Sequence, residues 1–167
     1  MNDTELLQQN NELKRKVEDL SNRLRKYEPD FDGPQGPAEA MGAPFAQRKR
    51  IAVIIDDSKL IHIRYKSIIE GHGIIVVATS QDGTFGADLV LTHRPRLVIL
   101  DYNMPGVNGS EVARMIRDAD NQVKIIVISG YLDADRIALL KSSGVDEILV
   151  KPINEQKFGE ALRRMEI

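Results

Sequence analysis

The sequence predicts an α/β fold, a five-stranded parallel sheet doubly wound with helices on both faces and preceded by a separate N-terminal helix. Three observations predict it. Five short β-branched apolar runs recur between Lys49 and Ile167, with stretches of helical length between them. Four of these runs give way at once to charged or hydroxyl residues. Ahead of them, residues 1–28 carry a heptad pattern with no glycine or proline.

In the heptad segment Leu6, Leu13, Leu20 and Tyr27 fall at d, and Asn10, Val17 and Leu24 at a. That is an apolar seam sustained over about three heptads. A lone helix with so narrow a stripe is marginal in water, so a partner helix is expected. Asn10 costs stability at an a position but favours a paired, in-register, parallel dimer, which makes a second copy of the chain the expected partner. The alternative is a single amphipathic helix lying on a different protein.

Residues 29–48, PDFDGPQGPAEAMGAPFAQR, hold four prolines and three glycines and keep no apolar period. They read as a flexible linker of about 25 Å root-mean-square span. Residues 49–167 read as the folded domain. Its strands are IAVII (51–55), IIVVAT (74–79), LVIL (97–100), KIIVIS (124–129) and EILV (147–150). Helices are predicted over 58–70, 83–93, 109–118, 133–143 and 154–165, joined by right-handed crossovers.

Composition limits the function. The 167 residues are 42% apolar and 29% charged with net charge -2, which gives no support to a nucleic-acid-binding surface. The absence of cysteine excludes disulfides and thiolate metal sites. No signal-peptide core or membrane span is predicted, and a cytoplasmic location is expected.

In such sheets functional residues gather beyond the carboxyl ends of the strands. The first strand ends in Asp56-Asp57, the third in Asp101, the fourth in Ser129-Gly130 and the fifth in Lys151-Pro152. Three carboxylates brought to one edge without compensation raise one another's pKa values. A hard cation such as Mg²⁺ relieves this, taking one or two carboxylates with waters and phosphate oxygens. Lys151 adds a mobile positive charge and Ser129 a hydroxyl donor, so the edge suits phosphoryl transfer. The competing explanation is a strand cap beside unrelated carboxylates.

DDS at 56–58, DYNMPGVNG at 101–109, SG at 129–130 and KP at 151–152 together resemble the receiver domain of two-component response regulators, over nearly all of residues 49–167. The resemblance implies a flavodoxin-like strand order 2-1-3-4-5. It implies that Asp101 is the phosphoacceptor, taking its phosphoryl group from a histidine kinase or a histidine phosphotransferase. Asp57 and Asp101 would bind Mg²⁺ with Asp56 helping, and Asn103 would offer its backbone carbonyl. Lys151 would pair with Asp101 and then with the phosphoryl group, ahead of a cis Pro152. Ser129 and the Gly130 backbone N–H would bind the added phosphate, and Asn103 and Tyr131 would flank the hydrolytic water and tune its attack.

The sequence also departs from the family pattern. Ile148 stands where an aromatic residue usually rotates, and Ser110 where a large apolar residue is common. On the first helix Ile63 falls at a solvent position and Arg64 at an inward one, which marks either a kinase-docking surface, as the family places on this helix, or a small register difference. His62, His72 and His93 lack ligand spacing and are expected at the surface. The chain stops at Ile167 after the fifth helix, so the expected molecule is a stand-alone receiver that is dimeric through its coiled coil. Two receivers so tethered would meet at an effective concentration of about millimolar and signal to a downstream protein by contact. A phosphorelay intermediate or phosphate sink is the alternative, as is a localisation module.

Overall fold

A computed structural model describes Arg15 and residues 45–167. The seam residues Leu6, Asn10, Leu13, Val17, Leu20, Leu24 and Tyr27 lie outside the described residues, as does the linker up to Pro44. In chain order the elements are β1 (Ile51–Ile55), α1 (Lys59–Gly71), β2 (Ile75–Ser80), a 3-10 turn (Gly83–Phe85) running into α2 (Gly86–His93), β3 (Leu97–Asp101), α3 (Gly109–Ala119), β4 (Lys124–Ser129), α4 (Ala134–Ser142), β5 (Glu147–Val150) and α5 (Glu155–Arg164). The strands are parallel in the order β2-β1-β3-β4-β5.

That order places the site. The chain reverses its direction of winding between β1 and β3, which lie side by side with Ile55 opposite Leu100. Asp56 and Asp101 therefore project from neighbouring strand ends at the switch point, where sheets of this kind place their functional residues. β3 is buried throughout, and β1 and β4 from their second residue on, which is why their sequences show no alternation. β2 differs from the expectation of cover on both faces. It is an edge strand, and Ile75 and Val77 are exposed while Val76 and Ala78 are buried.

Helix starts follow their capping residues. Asn108 and Glu111 form a reciprocal capping box at α3, and Asp133 and Asn154 accept backbone N–H groups at α4 and α5. Ser110 is buried, and its hydroxyl donates to the Asn108 side chain instead of filling apolar space. The helix predicted over 83–93 opens as a 3-10 turn capped by Asp82.

Residues 45–48, read from composition as the end of the linker, are fastened to the amino ends of the strands. The Arg96 guanidinium lies 4.7 Å from the centroid of the Phe45 ring. Arg48 donates to Asp120 through Nη1 at 2.5 Å and Nη2 at 3.2 Å, and both side chains are almost fully buried. The Gln122 and Val123 backbone amides donate to the same carboxylate. Burial alone would push the Asp120 carboxyl up, but Arg48 and the two amides outweigh it and hold its pKa below the usual carboxylate value.

Asp120→Ala is expected to cost about 3–5 kcal/mol, because it strands a buried guanidinium. A depressed folded pKa gives stability that is complete above the unfolded value of about 3.9 and lost as pH falls through the folded one. Urea midpoints measured from neutral to acid pH should therefore fall for wild type and run flatter for the variant. Equal midpoints at neutral pH would refute the clasp.

Candidate functional site

Two carboxylates and one ammonium form the centre. Asp56, directly after β1, is buried, and its Oδ1 accepts the Ser58 N–H at 2.9 Å. Its Oδ2 is buried without a hydrogen bond, and Lys151 Nζ stands 3.7 Å away. Asp101 closes β3, equally buried, and its Oδ2 accepts the Asn103 N–H at 2.8 Å. Lys151 Nζ comes within 2.7 Å of Asp101 Oδ1, close enough for a strong ion pair but out of line for a hydrogen bond. The lysine reaches this point because its own amide continues the β4–β5 ladder, donating to the Ser129 carbonyl at 2.9 Å, and the Lys151–Pro152 bond that follows is cis.

The electrostatics follow from burial. Desolvation raises the Asp56 pKa, the Ser58 amide offsets only part of this, and the charge of Asp101 adds to it. Burial works against the Lys151 charge, but the attraction of the Asp101 carboxylate 2.7 Å away, with Asp56 behind it, wins and raises its pKa. The ammonium stays charged where two carboxylates need it.

The loop from Asp101 to Gly109 turns back on its own strand. Gly106 takes φ 82°, a conformation that favours glycine, and Asn103 and Asn108 form an isolated antiparallel bridge. Gly109 N–H donates to the Tyr102 carbonyl at 2.9 Å, which seats the start of α3 against the acidic residue's own backbone.

Ser129 is buried at the end of β4, and its hydroxyl donates to the Tyr131 carbonyl at 2.7 Å. Gly130 is exposed beside it, as is the Tyr131 ring. Asp57 and Asn103 are also exposed, and the Asp57 carbonyl accepts from Gln81 Nε2 at 2.7 Å. The structure thus brings Asp56, Asp101 and Lys151 together, with Asp57 at the solvent side. Among the described residues no three His, Cys, Asp or Glu side chains form a ready metal cluster.

The histidine expectation is corrected. His62 is buried, with Nε2 2.6 Å from the Asp56 carbonyl, because the first turns of α1 pack on the end of β1. His72 is half-buried, its ring 5.6 Å from that of Phe158. His93 is half-buried too, and burial lowers its pKa. Ile63 is exposed as predicted, beside exposed Leu60, whereas Arg64 turns outward and donates to the Ile153 carbonyl at 3.2 Å. Sequence reading also missed Tyr65, which is buried, feels the charges of Lys151, Asp56 and Asp101, and has its pKa raised chiefly by desolvation. It missed Arg136 and Tyr102 as well. His62 stands four residues after Ser58, one helical turn, and that spacing was the available signal for it.

The arrangement is that of a flavodoxin-like, CheY-like α/β domain with its polar residues at the switch point. Residues 52–163 match the response regulator receiver domain, and the chain belongs to that family. It is 30% identical over 113 residues to Protein CcdB of Bacillus subtilis (strain 168), an alignment covering 68% of this chain and 94% of that protein. It is 34% identical over 116 residues to the DNA-binding response regulator MtrA of Mycolicibacterium paratuberculosis, covering 70% of this chain but only 50% of that one. The chain thus spans about half the length of MtrA. In fold it resembles the receiver domain protein of Methanospirillum hungatei JF-1, with TM-score 0.65 and 22% identity over 71% of this chain and 94% of that one. It also resembles one chain of the CheX-CheY-BeF3-Mg²⁺ complex of Borrelia burgdorferi, with TM-score 0.67 and 20% identity over 78% of this chain and 99% of that one.

Proposed function

We propose that this receiver is phosphorylated on Asp101 by a histidine kinase or histidine phosphotransferase, and that it passes the signal to a downstream protein by contact. The observation that carries the reading is the Lys151 ammonium held 2.7 Å from Asp101 and 3.7 Å from Asp56, both carboxylates being buried. An Asp101 oxygen attacks the phosphorus, the P–N bond to the donor imidazole breaks, and its electron pair leaves with the ring. The product is an acyl phosphate on Asp101. Lys151 then meets a phosphoryl oxygen, Ser129 turns its hydroxyl from the Tyr131 carbonyl to another, and the Gly130 N–H supplies a further donor.

The donor set is all oxygen, and the unbonded Asp56 Oδ2 leaves a lone pair for a hard cation, so the residues fit Mg²⁺. Asp56, Asp57, Asp101 and the Asn103 carbonyl would hold it with waters. When bound, it neutralises charge on the phosphoryl oxygens. The BeF3 and Mg²⁺ of the Borrelia neighbour support this by likeness of fold alone. Tyr131 and Asn103 flank the path of the hydrolytic water, and the Tyr131 ring hinders it. With Ile148 half-buried on β5, no aromatic ring is there to rotate, and output in this reading relies on backbone shifts or a changed dimer face.

The heptad residues Leu6 to Tyr27 make the molecule a homodimer in this reading. It works in the cytoplasm without nucleic acid or membrane. Among the described residues no helix is long and apolar enough to cross a membrane. Intact-protein mass after incubation with Mg²⁺ and acetyl phosphate, which transfers by breaking its P–O bond, tests the reading. Wild type should gain one phosphoryl group and Asp101→Asn none. Equal uptake by both would overturn it.

A further inference from the structure

Arg136 takes no part in the reading above, yet its guanidinium meets groups of both loops beside the site. It lies in the first turn of α4, where its own amide donates to the capping carboxylate of Asp133 at 2.7 Å. Its guanidinium Nη1 donates to the Tyr131 carbonyl at 2.8 Å. The guanidinium carbon stands 4.4 Å from the centroid of the Tyr102 ring and 5.5 Å from that of Tyr131. Both distances are within the range of cation–π attraction.

The chain positions of these partners matter. Tyr102 directly follows Asp101, and Tyr131 is two residues beyond Ser129. One cation therefore spans the loops that leave β3 and β4, and it belongs to a helix. The Tyr131 carbonyl also receives the Ser129 hydroxyl at 2.7 Å, so Ser129 and Arg136 share one acceptor. When Ser129 leaves for a phosphoryl oxygen, the carbonyl keeps its charged donor and the loop keeps its anchor. Without Arg136 the same departure hands the carbonyl to water and leaves the exposed Tyr131 ring free to swing.

We infer that Arg136 is a positioning residue for the phosphoacceptor site, fixing Tyr131 against Tyr102 so that the acyl phosphate stays shielded after Ser129 has turned. The inference rests on Asp101 being the acceptor and extends it to a residue of α4. It gives that helix a direct bond to the loop that moves.

The test follows the loss of phosphoryl mass from the full chain once acetyl phosphate is removed. It uses wild type, Arg136→Ala, Arg136→Lys, Tyr131→Ala and the double variant Arg136→Ala/Tyr131→Ala. Tyr131→Ala and Arg136→Ala are each expected to lose phosphate several-fold faster than wild type. The double variant should be no faster than Tyr131→Ala alone, because Arg136 acts through that ring. Arg136→Lys keeps the charge but not the planar face and should fall between. In the unphosphorylated protein, Arg136→Ala should also shift the ring-proton NMR resonances of Tyr102 and Tyr131. Decay of Arg136→Ala at the wild-type rate, or accelerations that multiply in the double variant, would overturn the inference and leave the acceptor reading standing. A wild type that takes up no phosphoryl group would end both.

Discussion

Lys151→Met is expected to slow phosphoryl uptake at Asp101 by about 10²–10³-fold, the usual cost of losing one well-placed donor to developing charge. Methionine keeps the length of the stem and removes only the ammonium, so the β4–β5 ladder and the turn at Pro152 survive. What disappears is the one positive charge lying 2.7 Å from Asp101 and 3.7 Å from Asp56. The two buried carboxylates then face each other uncompensated. Because a third of the lysine side chain is exposed, solvent takes up part of the loss, and the stability deficit should be about 1–2 kcal/mol. Adding Mg²⁺ should narrow that deficit more than it raises wild type, since a cation then takes over the neutralisation. Rapid-quench labelling with acetyl phosphate and thermal unfolding with and without Mg²⁺ measure the two effects. Uptake within a few-fold of wild type would show that Lys151 is only a strand-end ion pair.

Gly109→Ala is expected to damage fold and site together. A Cβ there would stand 2.8 Å from the Asp101 carbonyl oxygen and 2.8 Å from Tyr102 Cα, and neither backbone atom can rotate away. Alanine ordinarily improves a helix over glycine by about 1 kcal/mol, so the sign of the change is diagnostic. Here α3 must back off, at a cost of about 1–3 kcal/mol. The atom it pushes belongs to Asp101, the proposed acceptor, so labelling should fall as well. Gly130→Ala is the control, because an added Cβ there meets nothing within 4 Å and the backbone N–H is kept. Its stability should stay within about 0.5 kcal/mol of wild type. Urea unfolding of the two variants compares them, and a Gly109→Ala protein as stable as wild type would remove the close-approach account of the loop.

These effects mark where the sequence was legible. The strand and helix limits were readable to within a few residues because the central strands are buried on both faces and polar residues stop each run. The same endings located Asp56, Asp101, Ser129 and Lys151, since the end of a strand is a local property. Neighbour relations were harder. IIVVAT looks as buried as KIIVIS, but β2 lies at an edge, and edge position depends on strand order rather than on the run itself. His62 carries no ligand motif, and its burial depends on how α1 settles against β1. Arg136, Tyr102 and Tyr131 meet only because β3 and β4 are adjacent. Phe45 and Arg48 sit at the end of a stretch dominated by proline and glycine, and their partners Arg96 and Asp120 lie far along the chain.

The Arg48–Asp120 pair has a practical side for anyone who must hold this protein still. It pins the chain at the amino ends of the strands, whereas Asp101 stands at the carboxyl ends. A pull from a sensor chip or bead that reaches the domain through Phe45 and Arg48 is therefore met at the pole remote from Asp101. Such a load falls on a buried ion pair rather than on the loops beside Asp101.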